Sequence, residues 1–388
     1  MRTKWTLMLA MVLLVGPGLA LAQTEWHDHQ QVVPAPEPGA WDAERYTSSV
    51  LEVDGTYHLY FWGRDQPGAD PLYWYWNIGH ATSSDGVTWV MDPSNPVLVR
   101  GAAGEWDDHV VAFAAVIHDG AQFRMWYSGG DGEVGRVGYA TSPDGSTWTK
   151  HPGNPVMDVG EAGSFDDFGV WPGTVLFDSE RYRMWYTGAH GTISSDWDWR
   201  IGYAESLDGL SWTRQLQPVI DPGAGWDNWV VYAPSVVVDG ARYHLWYSGG
   251  NTSAGVSGIG YAMSEDGLSW TRYDGNPVLQ SGMAHSMVLR DAELGIFQMW
   301  YTNVIDFSLW HATSSCCSEG YHSFIPAAAS AAGAHGSFFH TDLDLSNADS
   351  VAVQYELWWL PRGENNSEPL ASETFSLGAG MSVRYANV

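Results

Sequence analysis

The feature of this sequence that most limits its fold is an internal repeat of aromatic phrases. Arg124-Met-Trp-Tyr-Ser-Gly129 returns at 183–188, 244–249 and 298–303, with a weaker copy at 58–63. Repeats of this length predict an array of similar supersecondary units, each burying its apolar face against the next. The shared aromatic recurs every 54 to 66 residues, at Tyr60, Trp126, Trp185, Trp246 and Trp300.

Two further phrases divide each unit into four short strands. A Gly-Tyr-Ala phrase follows three of the aromatic strands, with Gly-His-Ala at 79–81 and Trp-His-Ala at 310–312, and Ser-x-Asp-Gly-x-x-Trp ends at Trp89, Trp148, Trp212 and Trp270. The Asp-Gly pairs predict tight turns between runs of alternating apolar and polar residues. This pattern predicts that each unit folds as a four-stranded antiparallel sheet. Such sheets repeated around an axis are the blades of a β-propeller. A stacked solenoid is the alternative, but a four-stranded unit longer than 50 residues fits a blade better, and five units predict five blades.

The ends of the repeat predict how the ring closes. The fifth unit stops after Ser314 and lacks the Asp-Gly-x-x-Trp strand. Near the N-terminus, Trp26 and Val32-Val33-Pro34 parallel the Trp270 and Asn276-Pro-Val278 of a complete unit. We therefore expect an all-β, five-bladed propeller over residues 23–320, closed by an N-terminal strand that removes the free edges of the last blade.

Residues 1–22 have the pattern of a secretory signal peptide. Arg2 and Lys4 precede an apolar run from Leu7 to Val15, and Ala20-Leu21-Ala22 offers a cleavage site before Gln23. A membrane anchor is the alternative, but Gly16-Pro17-Gly18 interrupts the run well short of the ~20 residues that a spanning helix needs. We expect a secreted or periplasmic protein without membrane insertion.

Residues 321–388 depart from the repeat. Alternating stretches near Phe338 to Leu345, Val351 to Leu360 and Glu373 to Arg384 predict a small β-domain, marginal in size for an independent core. It resembles the opening half of the immunoglobulin-like domains of secreted bacterial proteins, which implies a truncated domain. The only cysteines, Cys316 and Cys317, are adjacent, so a strained disulfide and two free thiols both stay open.

Composition excludes several classes of partner. The chain carries 45 Asp and Glu against 17 Lys and Arg, a formal charge of −28, which argues against nucleic acid and against an anionic membrane surface. Its 23 Trp, 19 Tyr and 44 Gly residues favour an all-β protein with exposed rings. Trp197 and Trp199, in the longest loop of the third unit, are rings on which a sugar face can stack. We expect a carbohydrate partner, a monomer, and no metal or cofactor, since no metal-ligand or nucleotide motif is present.

The repeated phrases, with Asn-Pro-Val at 154–156 and 276–278, resemble the five-bladed propeller glycosidase superfamily. That group includes arabinanases, invertases, levansucrases and mannoside phosphorylases (glycoside hydrolase families 43, 32, 68 and 130). Its enzymes place an Asp, an Asp and a Glu at the start of the innermost strands of blades one to three. The matching register here holds Ser48, Phe113 and Trp171 or Pro172, none of them acidic. Gly282-Met-Ala-His285-Ser286 resembles the Gly-His-x-Ser segment of the arabinanase-like group, which implies that His285 lies in the central channel near a bound cation.

Candidate acids lie just before these innermost strands. Asp42, Asp107, Asp166 and Asp227 recur in four units, so we interpret them as turn caps. The non-repeating Glu44, Asp108 and Asp167 are the candidate catalytic set, with solvated loop acids as the alternative. Glu44 would serve as base, and Asp108 or Asp167 as acid or modulator of its pKa. Candidate sugar-binding residues on the same loops and in the channel are Arg64, His109, Trp171, Trp197, Trp199, Trp229 and His285.

Three functions are compatible with this pattern. The first is a glycosidase-like enzyme that hydrolyses the bonds of poly- or oligosaccharides. The second is a glycan-binding propeller without catalysis, which the missing acid register favours. The third is a surface-interaction module with the C-terminal domain as a tether. Fold similarity supports the first most strongly.

Overall fold

The computed structural model describes residues 25–64, 75–178, 180–191, 198–251, 257–280, 282–292 and 294–315, together with the backbone of further strands near both termini. The described secondary structure consists of strands, and this part of the chain has no apolar helix of membrane-spanning length. Residues 24–315 form one unit, and residues 1–23 with 316–388 form a second. Strands are numbered in chain order from β1 (Leu7–Val15), which lies in the second unit.

Four blades have the same antiparallel order, from the innermost strand outward along the chain. Each pairs consecutive strands, and the outermost is only two residues long. The first is β3 (Glu44–Val53), β4 (Thr56–Arg64), β5 (Asn77–Ser83) and β6 (Val90–Met91); the second is β7 (Val110–His118), β8 (Phe123–Gly130), β9 (Gly135–Ser142) and β10 (Thr149–Lys150); the third is β11 (Gly169–Phe177), β12 (Tyr182–His190), β13 (Asp198–Ser206) and β14 (Thr213–Arg214); the fourth is β15 (Val230–Asp239), β16 (Arg242–Gly250), β17 (Ser257–Ser264) and β18 (Thr271–Arg272).

The fifth blade confirms the predicted closure. Its first three strands are β19 (Met283–Asp291), β20 (Ile296–Asn303) and β21 (Leu309–Ser315). The fourth is β2 (His27–Val33), which pairs antiparallel with β21. One apolar cluster joins Val33 to residues of blades five and one, so the N-terminal strand ties the two ends of the ring together. The five-bladed prediction is confirmed.

The repeated aromatic residue fastens each blade to the next. The indole nitrogens of Trp126, Trp185 and Trp300 donate to the carbonyls of the turn glycines Gly209, Gly267 and Gly86, at 2.7, 2.8 and 2.7 Å. These turns need glycine, since Gly86 has φ +74° and a Cβ there would lie 3.0 Å from the Trp300 ring.

Trp246 is the exception among the repeated tryptophans. The outer strand of blade five comes from the N-terminus and brings no turn glycine, so in the described part of the chain the buried Trp246 Nε1 has no hydrogen-bond partner. Its ring instead meets Trp26 edge to face at 5.9 Å between centroids. Trp26, which the sequence predicts to match the last tryptophan of a complete unit, thus packs where the ring closes.

A second set of hydrogen bonds joins an innermost strand to the second strand of the preceding blade. All five innermost strands have a bulge or register shift. The backbone N–H of His285 donates to Ser248 Oγ of the preceding blade at 2.8 Å, and that of Ala233 donates to Thr187 Oγ1 at 2.9 Å. The N–H of Thr47 donates in the same way to Thr302 Oγ1, which joins blade five to blade one.

The repeated aspartates have a larger role than the predicted turn caps. Asp166 is buried and accepts hydrogen bonds from Tyr186 at 2.9 Å and from Arg214 of the outermost strand at 2.8 Å. Asp107 and Asp227 repeat this arrangement with other outer-strand cations. Asp107, Asp166 and Asp227 therefore each hold the outer edge of a blade to its second strand, a structural role that explains their recurrence. Asp42 instead pairs with Arg45 of the innermost strand.

In the second unit, β1 pairs antiparallel with β22 (Tyr321–Ile325) and with β26 (Val353–Pro361). The strand β26 also pairs with β27 (Leu370–Ala371) and β28 (Phe375–Leu377). Two smaller pairs complete the unit: β23 (Ala331–Ala332) with β24 (Phe338–Phe339), and β25 (Leu343–Ser346) with β29 (Ser382–Tyr385). The domain boundaries, the immunoglobulin-like interpretation and the signal peptide stay predictions, and Cys316 and Cys317 lie outside the described residues.

Candidate functional site

The innermost strands all begin on one face of the ring, which we call the upper face. The start of β11 bridges in parallel to the start of β9, where Gly169 pairs with Gly135, and Val110 of β7 pairs likewise with Trp76. The entrance of each of these innermost strands is thus bonded to the preceding blade's third strand. The three predicted acids lie on this face because Glu44 opens β3, and Asp108 and Asp167 each lie two residues before the next innermost strands.

Rings from all five blades converge at the upper end of the axis. The ring of His285 on β19 lies 5.0 Å from Tyr46, 5.9 Å from Phe113 and 5.4 Å from Tyr232, measured between centroids. Because those partners belong to blades one, two and four, His285 lies across the axis. Blade three joins through Trp171, stacked on Phe113 at 5.3 Å with 10° between planes. We call this set the axial aromatic cluster: Tyr46, Trp62, Phe113, Trp171, Trp199, Tyr232, His285 and Phe307.

Trp62 belongs to the cluster through a departure from the repeat. The equivalent positions on the other second strands carry hydroxyls, Ser128, Thr187, Ser248 and Thr302. In blade one an indole replaces the hydroxyl, and its ring lies 5.4 Å from His285 and 4.6 Å from Phe113. Its buried Nε1 has no hydrogen-bond partner within the described residues. Thr187, Ser248 and Thr302 accept an inter-blade N–H, whereas Ser128 Oγ makes no hydrogen bond within the described residues. Blade one instead has aromatic surface at this position near the axis.

The cluster occupies the register in which the superfamily enzymes have their acids. The side chains of Phe113 and Trp171 are half-buried rings packed on each other, and Ser48 donates its hydroxyl to the Ala114 carbonyl at 2.9 Å. Burial lowers the pKa of His285 to about 3, so its ring is neutral. Aromatic side chains surround it instead of the oxygen ligands that a hard cation prefers, so these residues do not fit the channel cation implied by the resemblance.

Glu44 forms an ion pair on the upper face. Its carboxylate accepts from Arg64 Nε at 2.7 Å and lies 2.6 Å from Nη2, and both side chains are largely buried. The guanidinium also stacks 4.8 Å from the Trp76 ring. Glu44 and Arg64, predicted as base and sugar ligand, are thus brought together as a fixed pair beside the axial aromatic cluster.

Asp108 and Asp167 have matching surroundings in adjacent blades. Asp108 accepts the Gly104 N–H at 2.6 Å and contacts His109 Nδ1 at 2.6 Å. Asp167 accepts the Gly163 N–H at 2.7 Å and contacts His190 Nδ1 at 2.8 Å. Each is therefore a carboxylate that fixes the orientation of an imidazole, although the two positions were treated as non-repeating in the sequence.

The Gly104 N–H, and next the contact with His109, hold the pKa of Asp108 below its usual range. A general acid needs the opposite shift, because it must carry a proton at neutral pH. Of the two roles predicted for Asp108, that of a modulating anion fits its surroundings and that of an acid does not.

The remaining predicted sugar contacts differ in position. The Trp199 ring lies edge-on to Trp171 at 5.1 Å and to Tyr232 at 5.2 Å, within the axial aromatic cluster. The Trp229 side chain is exposed, just before β15 on the upper face. Trp197 lies outside the described residues. The sequence predictions omitted Tyr46, Phe113 and Tyr232 as contacts, although the break in the Ser/Thr pattern at Trp62 marks this part of blade one as unusual.

Comparison with known proteins agrees with this architecture. Residues 172–299 match the profile of glycoside hydrolase family 130, described as beta-1,4-mannooligosaccharide phosphorylase. An uncharacterized protein of Mycobacterium tuberculosis is 28% identical over 257 residues, which cover 64% of this chain and 77% of that protein.

Solved structures with the same fold are glycosidase-like. A putative glycoside hydrolase of Parabacteroides distasonis has a TM-score of 0.56 at 15% identity, covering 78% of this chain and 96% of its own. A structure titled for family 130 hydrolases that target beta-1,2 mannosidic linkages in Candida mannan also has a TM-score of 0.56, at 16% identity, covering 81% and 95%. The fold is therefore that of the five-bladed, glycosidase-like propellers of carbohydrate-active proteins.

Proposed function

We propose that this is an exported carbohydrate-active protein whose upper face binds a glycan, with one sugar ring against the axial aromatic cluster. The observation that carries the proposal is the axial aromatic cluster itself, in which rings of blades one, two and four contact His285 of blade five and Trp171 of blade three stacks on Phe113. The C–H face of a sugar packs on aromatic surface, and few other ligands use both flat apolar rings and hydroxyl-binding groups beside them. The charged N-terminus and the Ala20-Leu21-Ala22 site support export.

Polar groups around the cluster can bind the sugar hydroxyls. Glu44 and Arg64 offer an acceptor and a donor next to Trp76, and the imidazoles of His109 and His190 are each held by a carboxylate. These groups are already oriented by their own pairs, so little side-chain entropy is lost when a ligand binds. A polar rim around aromatic rings is the usual composition of a carbohydrate site.

Glycoside hydrolysis is the second candidate, favoured by the carboxylates of Glu44, Asp108 and Asp167 at the entrances of three consecutive blades. Hydrolysis needs one carboxyl to protonate the leaving oxygen while another activates water or attacks the sugar. In this candidate Glu44 would be the base, Asp167 the acid and Asp108 the modulator; Asp167 accepts the same kind of backbone N–H as Asp108, which counts against hydrolysis. Recognition ranks first because the axial register is aromatic and Asp108 has a lowered pKa.

Affinity electrophoresis of the mature chain through gels containing mannans, arabinans, xylans, fructans and galactans tests binding. Trp171→Ala should reduce retention on the bound glycan about tenfold, since a stacked ring contributes on the order of 1 kcal/mol beyond its buried area. Leu207→Ala is the control, because Leu207 is exposed at the opposite end of its blade. Equal retention of both variants and the wild type would contradict the proposal.

Reducing-end release on the same panel tests the second candidate. If the wild type releases sugar, and Glu44→Gln and Asp167→Asn reduce release far more than they reduce retention, the face is catalytic. If retention occurs without release, the protein is a binding propeller.

A further inference from the structure

Arg100 differs from the other cations described on the upper face. Its Nη1 donates to the Asp108 carbonyl at 2.7 Å, and its guanidinium lies 4.0 Å from the centroid of the exposed Tyr75 ring. Within the described part of the chain it contacts no carboxylate, and its buried Nε makes no hydrogen bond. By contrast Arg64, Arg136 and Arg200 are each paired with acids.

The repeat shows that this cation is specific to one junction. In blades two and three, Arg136 and Arg200 lie in the first three residues of the third strand and pair with Asp158 at 3.0 Å and Asp221 at 2.8 Å. The equivalent positions in blade one are Asn77 and Val99, as the bridges Ile78–Leu98, Val137–Met157 and Ile201–Ile220 align them. Blade one therefore has a valine where blades two and three have the paired acid. The next residue, Arg100, donates its backbone N–H to Asn77 Oδ1.

Two neighbours complete a recognition surface around Arg100. His109 lies 6.1 Å from Tyr75 between ring centroids, and its Nδ1 is held by Asp108. With Nδ1 donating to that carboxylate, Nε2 of the neutral ring is an acceptor for a hydroxyl. Gly132 makes room for the imidazole, since a Cβ there would lie 3.3 Å from its Cδ2.

We propose that Tyr75, Arg100 and His109 form a subsite for an oxyanion, the carboxylate of a uronic acid residue in the glycan. The proposal rests on the glycan-binding function of the same face. A guanidinium presents planar N–H donors that match a carboxylate. The backbone carbonyl of Asp108 fixes the Arg100 guanidinium by accepting a hydrogen bond from Nη1. His109 Nε2 accepts a hydroxyl of the same sugar, and Tyr75 supplies the exposed ring edge beside it. Because the protein as a whole carries −28, the recognition is local and acts within a Debye length of about 8 Å at 0.15 M salt.

The test compares acidic polysaccharides with their own neutral forms. Polygalacturonate and glucuronoxylan, each beside its carboxyl-reduced form, are run in affinity gels at 0.15 M salt with wild type, Arg100→Gln and Arg136→Gln. The wild type should bind at least one acidic form about tenfold more tightly than its reduced form. Arg100→Gln should remove that preference and keep the affinity for the reduced form, whereas Arg136→Gln, whose cation is already paired with two acids, should retain the preference.

A thermal-shift experiment distinguishes a uronate from a phosphate as the bound oxyanion. Galacturonate and inorganic phosphate are each added to the wild type and to Arg100→Gln. Stabilisation by galacturonate that depends on Arg100 supports the uronate subsite, and stabilisation by phosphate alone overturns it. Equal binding of acidic and reduced forms also overturns the subsite and leaves glycan binding intact. If no glycan of either form is retained by the folded protein, the proposed function itself fails.

Discussion

The ring centroid of His285 on the last blade lies 5.0 Å from that of Tyr46 on the first. The contact exists because the N-terminal strand closes the ring and brings β19 beside β3. It also sets the chemistry of the axis, since a neutral imidazole among aromatic rings provides a surface for stacking in place of the acids expected from the superfamily. The central functional proposal follows from this arrangement.

Trp300 of blade five should stabilise the fold more than Trp246 of blade four. Trp300→Phe removes the buried hydrogen bond to Gly86, whereas Trp246→Phe removes an indole N–H that makes no hydrogen bond to any described residue. Both substitutions lose similar ring volume in fully buried sites, so we expect Trp300→Phe to cost about 1–2 kcal/mol more free energy of unfolding. Urea denaturation of the two variants measures the difference, and equal costs would refute the link.

Two neighbouring aspartates should separate stability from binding. Asp166→Asn breaks the buried pair with Arg214 and should cost about 2–4 kcal/mol of unfolding free energy without changing glycan retention by the folded protein. Asp167→Asn should cost less than about 1 kcal/mol, because an amide oxygen can still accept the Gly163 N–H. It should weaken retention instead, since it frees His190. The reverse assignment of effects would show that Asp166 belongs to the site.

Buried histidines should make stability fall in mildly acidic solution. Burial is the largest cause that lowers the pKa of His58, His244 and His311 to about 4, so below pH 6.5 the unfolded chain binds protons that the folded chain does not. Stability is therefore fully present above pH 6.5 and is lost as pH falls toward 4, by up to about 2 kcal/mol per histidine at pH 5. Thermal unfolding between pH 7.5 and 4.5 measures this slope.

His244→Gln provides the control for that slope. The equivalent position in blade five is Gln298, so the fold accepts the amide there. The variant should have a shallower pH dependence than the wild type in the same window. A second loss is expected below pH 4, where Asp144, Asp208 and Asp266, whose pKa values are lowered to about 2 chiefly by backbone N–H groups, become protonated. An unchanged slope in His244→Gln would contradict the assignment of the first window to buried histidines.

The fold was predictable because the turns of each repeat are stabilised by contacts between residues that are close in sequence. The Ser-x-Asp-Gly-x-x-Trp phrase encodes a turn in which Asp144 accepts the N–H groups of Ser146 and Thr147, independently of the rest of the chain. The closure was predictable for a related reason, since a missing outer strand at Ser314 and a spare one near Trp26 are both visible in the sequence.

The site was only partly predictable because it depends on contacts between blades. Glu44, Asp108 and Asp167 were found from their position before the innermost strands, but their pairing with Arg64, His109 and His190 depends on packing. In the sequence, Phe113 and Tyr46 resemble ordinary strand residues. Phe113 lies in the register shift of β7 with φ +49°, a local feature that the sequence pattern does not reveal. Trp62 carried a visible signal, its departure from a Ser/Thr position.

The most direct test of the central claim is a crystal structure of the mature protein with the oligosaccharide that the affinity panel identifies. The account predicts a sugar ring whose C–H face packs on the axial aromatic cluster, within van der Waals contact of Tyr46 or Trp171 and above His285. A sugar bound at the outer edge of a blade or on the opposite face, with the cluster left free, would contradict it.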